Sequence, residues 1–162
     1  MATHQVAVER AVSLYYSRRN PDYSATFLFS SAAEVTALRD AAIDEQGAEA
    51  SLSLLAAVEA AFRVDYIERD RVRPRDALSR AMRDLFRAKG RFAGLSDDIL
   101  QVWRNHSNVP NSLLNNVRDA FALRHWLAHG RYYPPKFGRT YDYSTILDLA
   151  RAVDRSFPFL RV

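Results

Sequence analysis

The sequence predicts an all-α protein: a single-domain antiparallel helical bundle of five to six helices over 1–162. Three observations predict it. Apolar residues recur every three or four positions in most segments long enough to show a period. Helix-starting and helix-stopping residues punctuate those segments, notably Ser31 with Glu34, Pro74 with Asp76, and Gly130 ahead of Pro134 and Pro135. Strand-like composition is concentrated at 23–29, and a lone strand has nothing to pair with.

The first helix is expected over 5–19, with Val6, Val8, Val12, Leu14 and Tyr15 apolar, Arg18 and Arg19 at its end, and Asn20-Pro21-Asp22 closing it. Residues 23–29 read as an extended link or short hydrophobic turn. Ser31 and Glu34 form a capping box for a helix through Asp44, because each side chain can satisfy the other's backbone N–H. Gly47 is expected to interrupt it. An alanine-rich helix then runs over 48–69 with Leu52, Leu55, Val58, Phe62, Tyr66 and Ile67 as its stripe.

Pro74 and Asp76 open the next helix, which buries Leu78, Met82, Leu85 and Phe86 and carries Arg80, Arg83 and Arg87 on another face. After a break between Gly90 and Gly94, Ser96-Asp97-Asp98 are expected to cap a helix with Ile99, Leu100, Val102 and Trp103 inward, and 104–108 read as a polar loop. Pro110, Asn111 and Ser112 start the longest well-capped run, whose apolar positions are Leu113, Leu114, Val117, Ala120, Phe121, Leu127 and Ala128. A final helix is expected over 144–156.

Composition narrows the chemistry. Hydrophobic residues at 48% and aromatics at 12% exclude a disordered chain. No apolar run is long enough for a membrane span and no signal-peptide core is present, so the expected location is cytoplasmic, without membrane contact. The absence of cysteine excludes disulfides, thiolate metal sites and thiol nucleophiles. Glycine loops of the phosphate-cradling kinds are missing, and so is a GxSxG elbow.

The charge is unevenly placed. Segment 63–91 holds ten basic residues against five acidic ones, so the whole basic excess of the chain lies there. Arginine greatly outnumbers lysine, which appears only at Lys89 and Lys136, and its forked donors suit phosphate.

Arg124-His125-Trp126-Leu127-Ala128-His129-Gly130 gathers two of the four histidines, an arginine and a helix stop within seven residues. His129 is expected in the last turn, where the negative end of the helix dipole suits a group that gives and takes a proton near neutral pH. Arg124 lies about 140° around the axis from it. His125 and His129 share a face, but a zinc-protease pattern would need Glu where Trp126 stands, and no third ligand is evident. The reading therefore assigns no metal and no cofactor.

RNA supplies its own nucleophile, the 2′-hydroxyl, so one histidine to move protons and one arginine to stabilise the phosphorane suffice to cut it. Behind the motif, Arg131, Lys136 and Arg139 can hold phosphates, while Tyr132, Tyr133 and Tyr141 can stack on bases. Glu59 and Arg63 read either as an ordinary i,i+4 ion pair or as residues orienting a side chain on a neighbouring helix.

The segment 124–130 resembles the Arg-X4-His motif of the HEPN superfamily, including the small residue before the histidine and the glycine after it. The resemblance implies an all-α HEPN-like domain and a metal-independent endoribonuclease that works as a homodimer, with the motifs of both subunits in one cleft. It implies Arg124 as the phosphate and transition-state contact, His129 as the acid/base and His125 as a polar support. Glu59 stands for the acidic residue that supports the motif from an earlier helix in some members. Toxin–antitoxin systems, with an antitoxin partner protein, phage defence and RNA processing are the roles it brings. The alternative is a non-catalytic HEPN module that binds RNA, a nucleotide or a partner protein.

Overall fold

A computed structural model describes residues 2–129 and 141–160, and these are helical with no strand among them. The helices are α1 (Ala2–Tyr15), α2 (Tyr23–Thr26), α3 (Ala32–Val72), α4 (Ala77–Lys89), α5 (Leu100–His106), α6 (Asn111–Ala128) and α7 (Tyr143–Ser156). A 3-10 turn, Gly90–Phe92, and a π-helical turn, Leu95–Ile99, join α4 to α5. Among the described residues this makes seven α-helices, or six without the single turn α2. Of the two readings of 23–29, the short hydrophobic turn is the one found, and the extended link is not.

The chain forms two compact units, 1–51 and 52–162, and α3 contributes to both. In the first unit, the Ser31 N–H donates to Glu34 Oε2 at 2.7 Å and the Glu34 N–H to Ser31 Oγ at 3.2 Å, so the capping box opens α3 as expected. The Tyr16 and Tyr23 rings flank Phe27, while Phe29 is almost wholly exposed.

The helix expected to stop near Gly47 does not stop. α3 passes straight through it, because a glycine costs a helix interior only about 1 kcal/mol and no capping group stands beside this one. Gln46, Ala48, Glu49 and Ala50 around it are helix formers, and Gln46 Nε2 bonds Glu49 at 3.1 Å within the run. Arg73, at φ 56°, ends the helix instead, just ahead of Pro74.

The second unit is built around Phe62. Its ring meets Trp103, Phe121, Phe157 and Phe159 edge-on, with centroids 4.9 to 6.3 Å apart. Such contacts add to the burial of large rings, so α3, α5, α6 and the segment after α7 are held at one point. Asp76 caps α4 by accepting from the Ser79 N–H at 2.8 Å. Gly90, at φ 56°, closes that helix, and its carbonyl accepts from the Tyr66 hydroxyl at 2.9 Å. Burial, with Asp70 and Asp98 nearby, pushes the Tyr66 phenol up to about 12, so it remains a donor.

Two caps differ from expectation. Ser96-Asp97-Asp98 do not cap a helix from outside: they lie within the π turn, where Asp98 accepts from the Gly94 N–H at 2.8 Å and from Lys89 at 2.6 Å. At the start of α6, Pro110 occupies the cap position and supplies no side-chain bond. The stretch 104–106, expected as loop, continues α5, and Arg104 Nη2 donates to Asn115 Oδ1 on α6 at 2.6 Å.

Candidate functional site

The stem of the motif is fixed by a second apolar cluster. Leu54 and Leu55 from α3, Ala120 and Leu123 from α6 and Ile146 from α7 are buried together, with Trp126, Leu127, Tyr141 and Tyr143 packed against them. The pairs Phe62 with Phe121 and Glu59 with Arg124 step in opposite directions along the two helices. Locally, then, α3 and α6 run antiparallel, and the helical period that buries Leu55 and Phe62 brings Glu59 to the motif arginine.

Glu59 there meets two arginines. Its Oε1 accepts from Arg63 Nε at 2.9 Å, and its Oε2 lies 3.2 Å from Arg124 Nη2. The carboxylate is mostly covered, while the Arg63 and Arg124 side chains are partly open to solvent. Arg124 Nε is buried without a hydrogen-bond partner among the described residues. A desolvated donor left unmade costs about 1–3 kcal/mol, so this guanidinium is held on one edge and unsatisfied on another.

Ala128 is the last residue of α6, and His129 is its C-cap rather than part of its last turn. At φ −104° and ψ 24° it has left the helical path, while its N–H still donates to the His125 carbonyl at 3.1 Å. The His125 and His129 rings lie with centroids 4.2 Å apart and planes at 49°, and both residues are exposed. Arg124, His125, His129, Glu59 and Arg63 thus belong to one end of α6 and the facing turn of α3. Arg131, Tyr132, Tyr133, Lys136 and Arg139 lie outside the described residues, as do Gly130, Pro134 and Pro135.

The basic segment 63–91 is not one cationic face. Arg63 pairs with Glu59, Arg71 with Glu68, Arg87 with Asp84 and Lys89 with Asp98. Arg69 is nearly buried: its Nε donates to Asp65 Oδ2, its Nη1 to Ser79 Oγ and its Nη2 to the Pro158 carbonyl, each at 2.8 Å. It also lies 5.2 Å from the Trp103 ring centroid. Asp65 is fully buried and accepts the Leu160 N–H on its other oxygen at 2.8 Å. Burial pushes the Asp65 carboxyl up from its ordinary value, against the lowering by Arg69 and the Leu160 N–H.

This network is the arrangement that sequence reading missed. Its signal was available, because Asp65 and Arg69 sit three and seven positions after Phe62, on the stripe that faces the core. Arg73, Arg75, Arg80 and Arg91 remain exposed.

A cavity of about 650 Å³ beside Arg69 is lined by His106, Asn108, Arg155 and Pro158, and Arg124 and His129 do not line it. Among the described residues no three His, Asp or Glu side chains are grouped to hold a metal ion, and no helix is long and apolar enough to cross a membrane. Comparison with known proteins finds no match among family models, curated proteins or solved structures.

Proposed function

We propose that the chain is a HEPN-type endoribonuclease that cuts RNA without a metal, by attack of the 2′-hydroxyl on the adjacent phosphate, leaving a 2′,3′-cyclic phosphate. The observation that carries the reading is the clustering at the end of α6: Arg124 held by Glu59, with His125 and His129 exposed beside it.

In this mechanism His129 takes the 2′-hydroxyl proton as the oxygen–phosphorus bond forms, and the guanidinium of Arg124 stabilises the charge on the phosphorane oxygens. The 5′-oxygen leaves with a proton returned by a second imidazole. A homodimer that sets two such helix ends face to face supplies both proton carriers. Glu59 fixes the rotamer of Arg124. Arg131, Lys136 and Arg139 bind flanking phosphates, and Tyr132 and Tyr133 stack on bases.

The proposed setting is the cytoplasm, as a toxin–antitoxin or phage-defence component restrained by an antitoxin protein. Induced expression of wild type and His129→Ala tests it: growth arrest by the wild type alone supports that setting, and equal growth removes it.

A second reading has one specific observation in its favour. Arg124 already spends one edge on Glu59 and buries Nε, which leaves fewer donors for a phosphorane and suits a HEPN module that binds RNA, a nucleotide or a partner protein without cutting. Labelled single-stranded RNA and its all-deoxy counterpart, incubated in EDTA with wild type and His129→Ala, separate the two. Cutting of RNA alone that is lost in the variant supports the nuclease. Intact RNA with salt-sensitive binding that survives His129→Ala supports the binding module.

A further inference from the structure

The cleavage scheme uses His129 as a proton carrier and leaves unexplained why a second imidazole lies against it. Four residues along an α-helix bring a side chain about 40° past a full turn and about 6 Å up the axis. This spacing puts two imidazoles within reach of one ion, as in helical zinc sites that use a His pair. Here the rings are already 4.2 Å apart by centroid, and both are exposed. A zinc–nitrogen bond is about 2.0–2.1 Å, a length at which two imidazoles on this helical spacing can share one ion. The pair also stands at the C-terminal end of α6, where the helix dipole favours a cation. The neighbouring guanidinium of Arg124 opposes a cation, but it is turned to Glu59 at 3.2 Å.

We propose that His125 and His129 chelate one borderline transition-metal ion, zinc(II) or copper(II), and that the bound ion switches the protein off. The chelation stands on the ring geometry alone. The switching rests on the reading of His129 as the acid/base, since a lone pair given to the metal is no longer available to a proton.

The chemistry of the site sets its character. Among the described residues no third histidine or carboxylate joins the pair, so water fills the remaining positions and the ion exchanges readily. Two imidazoles favour copper over zinc, in the usual order for divalent ions. Magnesium and calcium, which prefer oxygen ligands, are not held.

Titration calorimetry of the full chain with zinc chloride, in a non-chelating buffer, tests the chelate without reference to activity. The expected result is one zinc per chain. Losing even an outer partner of a metal ligand costs about tenfold or more in affinity, so His125→Ala and His129→Ala should each weaken binding by at least that factor. His106→Ala and His4→Ala should not change it, and magnesium should give no heat. Zinc binding that survives both site variants overturns the chelate, and so does an absence of binding to protein that retains its helical circular dichroism.

The second arm is RNA cleavage by wild type with and without zinc. Inhibition that EDTA reverses is the expected outcome. Zinc bound at the pair with cleavage unchanged overturns the switch. Zinc bound to protein that cuts nothing when metal-free overturns the nuclease reading and the switch that depends on it, and leaves the chelate standing.

Discussion

Helix α3 carries two acid–arginine pairs at the same i,i+4 spacing, Glu59 with Arg63 and Asp65 with Arg69, and they are put to opposite uses. Asp65 and Arg69 are shut away from solvent, and their charges are met by each other, by Ser79 and by the backbone at Pro158 and Leu160. Glu59 and Arg63 lie at the edge of the core, where Glu59 is shared with Arg124 and the guanidinium of Arg124 keeps a buried N–H with no partner among the described residues. Identical spacing thus yields a closed structural joint in one place and an open, incompletely satisfied group in the other. What separates them is their place around α3: an offset of six residues, about 240° of rotation, turns one pair into the core and leaves the other at its edge.

The largest expected effect is on the open side: His129→Ala and Arg124→Ala should slow RNA cleavage on the order of a hundredfold to ten-thousandfold, while thermal unfolding stays near that of the wild type. Next comes the closed side. Removing one partner of a buried ion pair strands the other, so Asp65→Ala should cost about 3–5 kcal/mol by urea unfolding, and Asp65→Asn, which keeps an acceptor for the Leu160 N–H, should cost less. Cleavage per folded molecule should be retained in both. A stability loss below that of an ordinary surface pair would deny Asp65 its structural role.

Glu59→Gln sharpens the contrast. A partly exposed pair contributes no more than about 1 kcal/mol, so stability should barely move, whereas loss of the brace on Arg124 should slow cleavage about tenfold to a hundredfold. Loss of stability without loss of rate would make Glu59 a second Asp65. Asp76→Ala removes the cap of α4 and should cost about 1 kcal/mol, read from the same urea curves.

The smallest effect is with pH. Thr145 and Ser144 hold the Asp142 carboxyl below its ordinary value of 3.8, and Lys89 and the Gly94 N–H do the same for Asp98. Their stabilisation is present above 3.8 and is lost as pH falls through the lowered values. Asp65, raised by burial, runs the other way: its contribution is present below 3.8 and is lost as pH rises through its folded value. Asp142→Asn should therefore flatten the acid limb of Tm against pH, and an unchanged limb would remove Asp142 from it.

Much of this was legible in the sequence, for physical reasons. Helices α4, α6 and α7 and the capping box at Ser31 follow from periodicity and from residues that satisfy helix ends, both of which are local properties. The run through Gly47 was not legible, because one glycine costs a helix interior little when helix formers stand on both sides of it. The meeting of Glu59 and Arg124 could be suggested by the motif, but local pattern does not dictate it, since it depends on the register of two helices 65 positions apart in the chain. The burial of Arg69 was hidden by counting charges. A tally assigns every arginine to the surface, and only its place on the apolar stripe reveals the exception.

The bond from the Leu160 N–H to Asp65 joins positions separated by 95 residues. Loop-closure entropy makes such a contact slow to form, so the joint behind α3 is completed late in folding. Until 158–160 arrive, Asp65 and Arg69 lack their backbone partners and the aromatic pair Phe157 and Phe159 is missing from beside Phe62. Until then the core around Phe62 is incomplete. Such a protein reaches its folded state only after synthesis has passed Leu160, which delays any activity that depends on the packed α3–α6 pair.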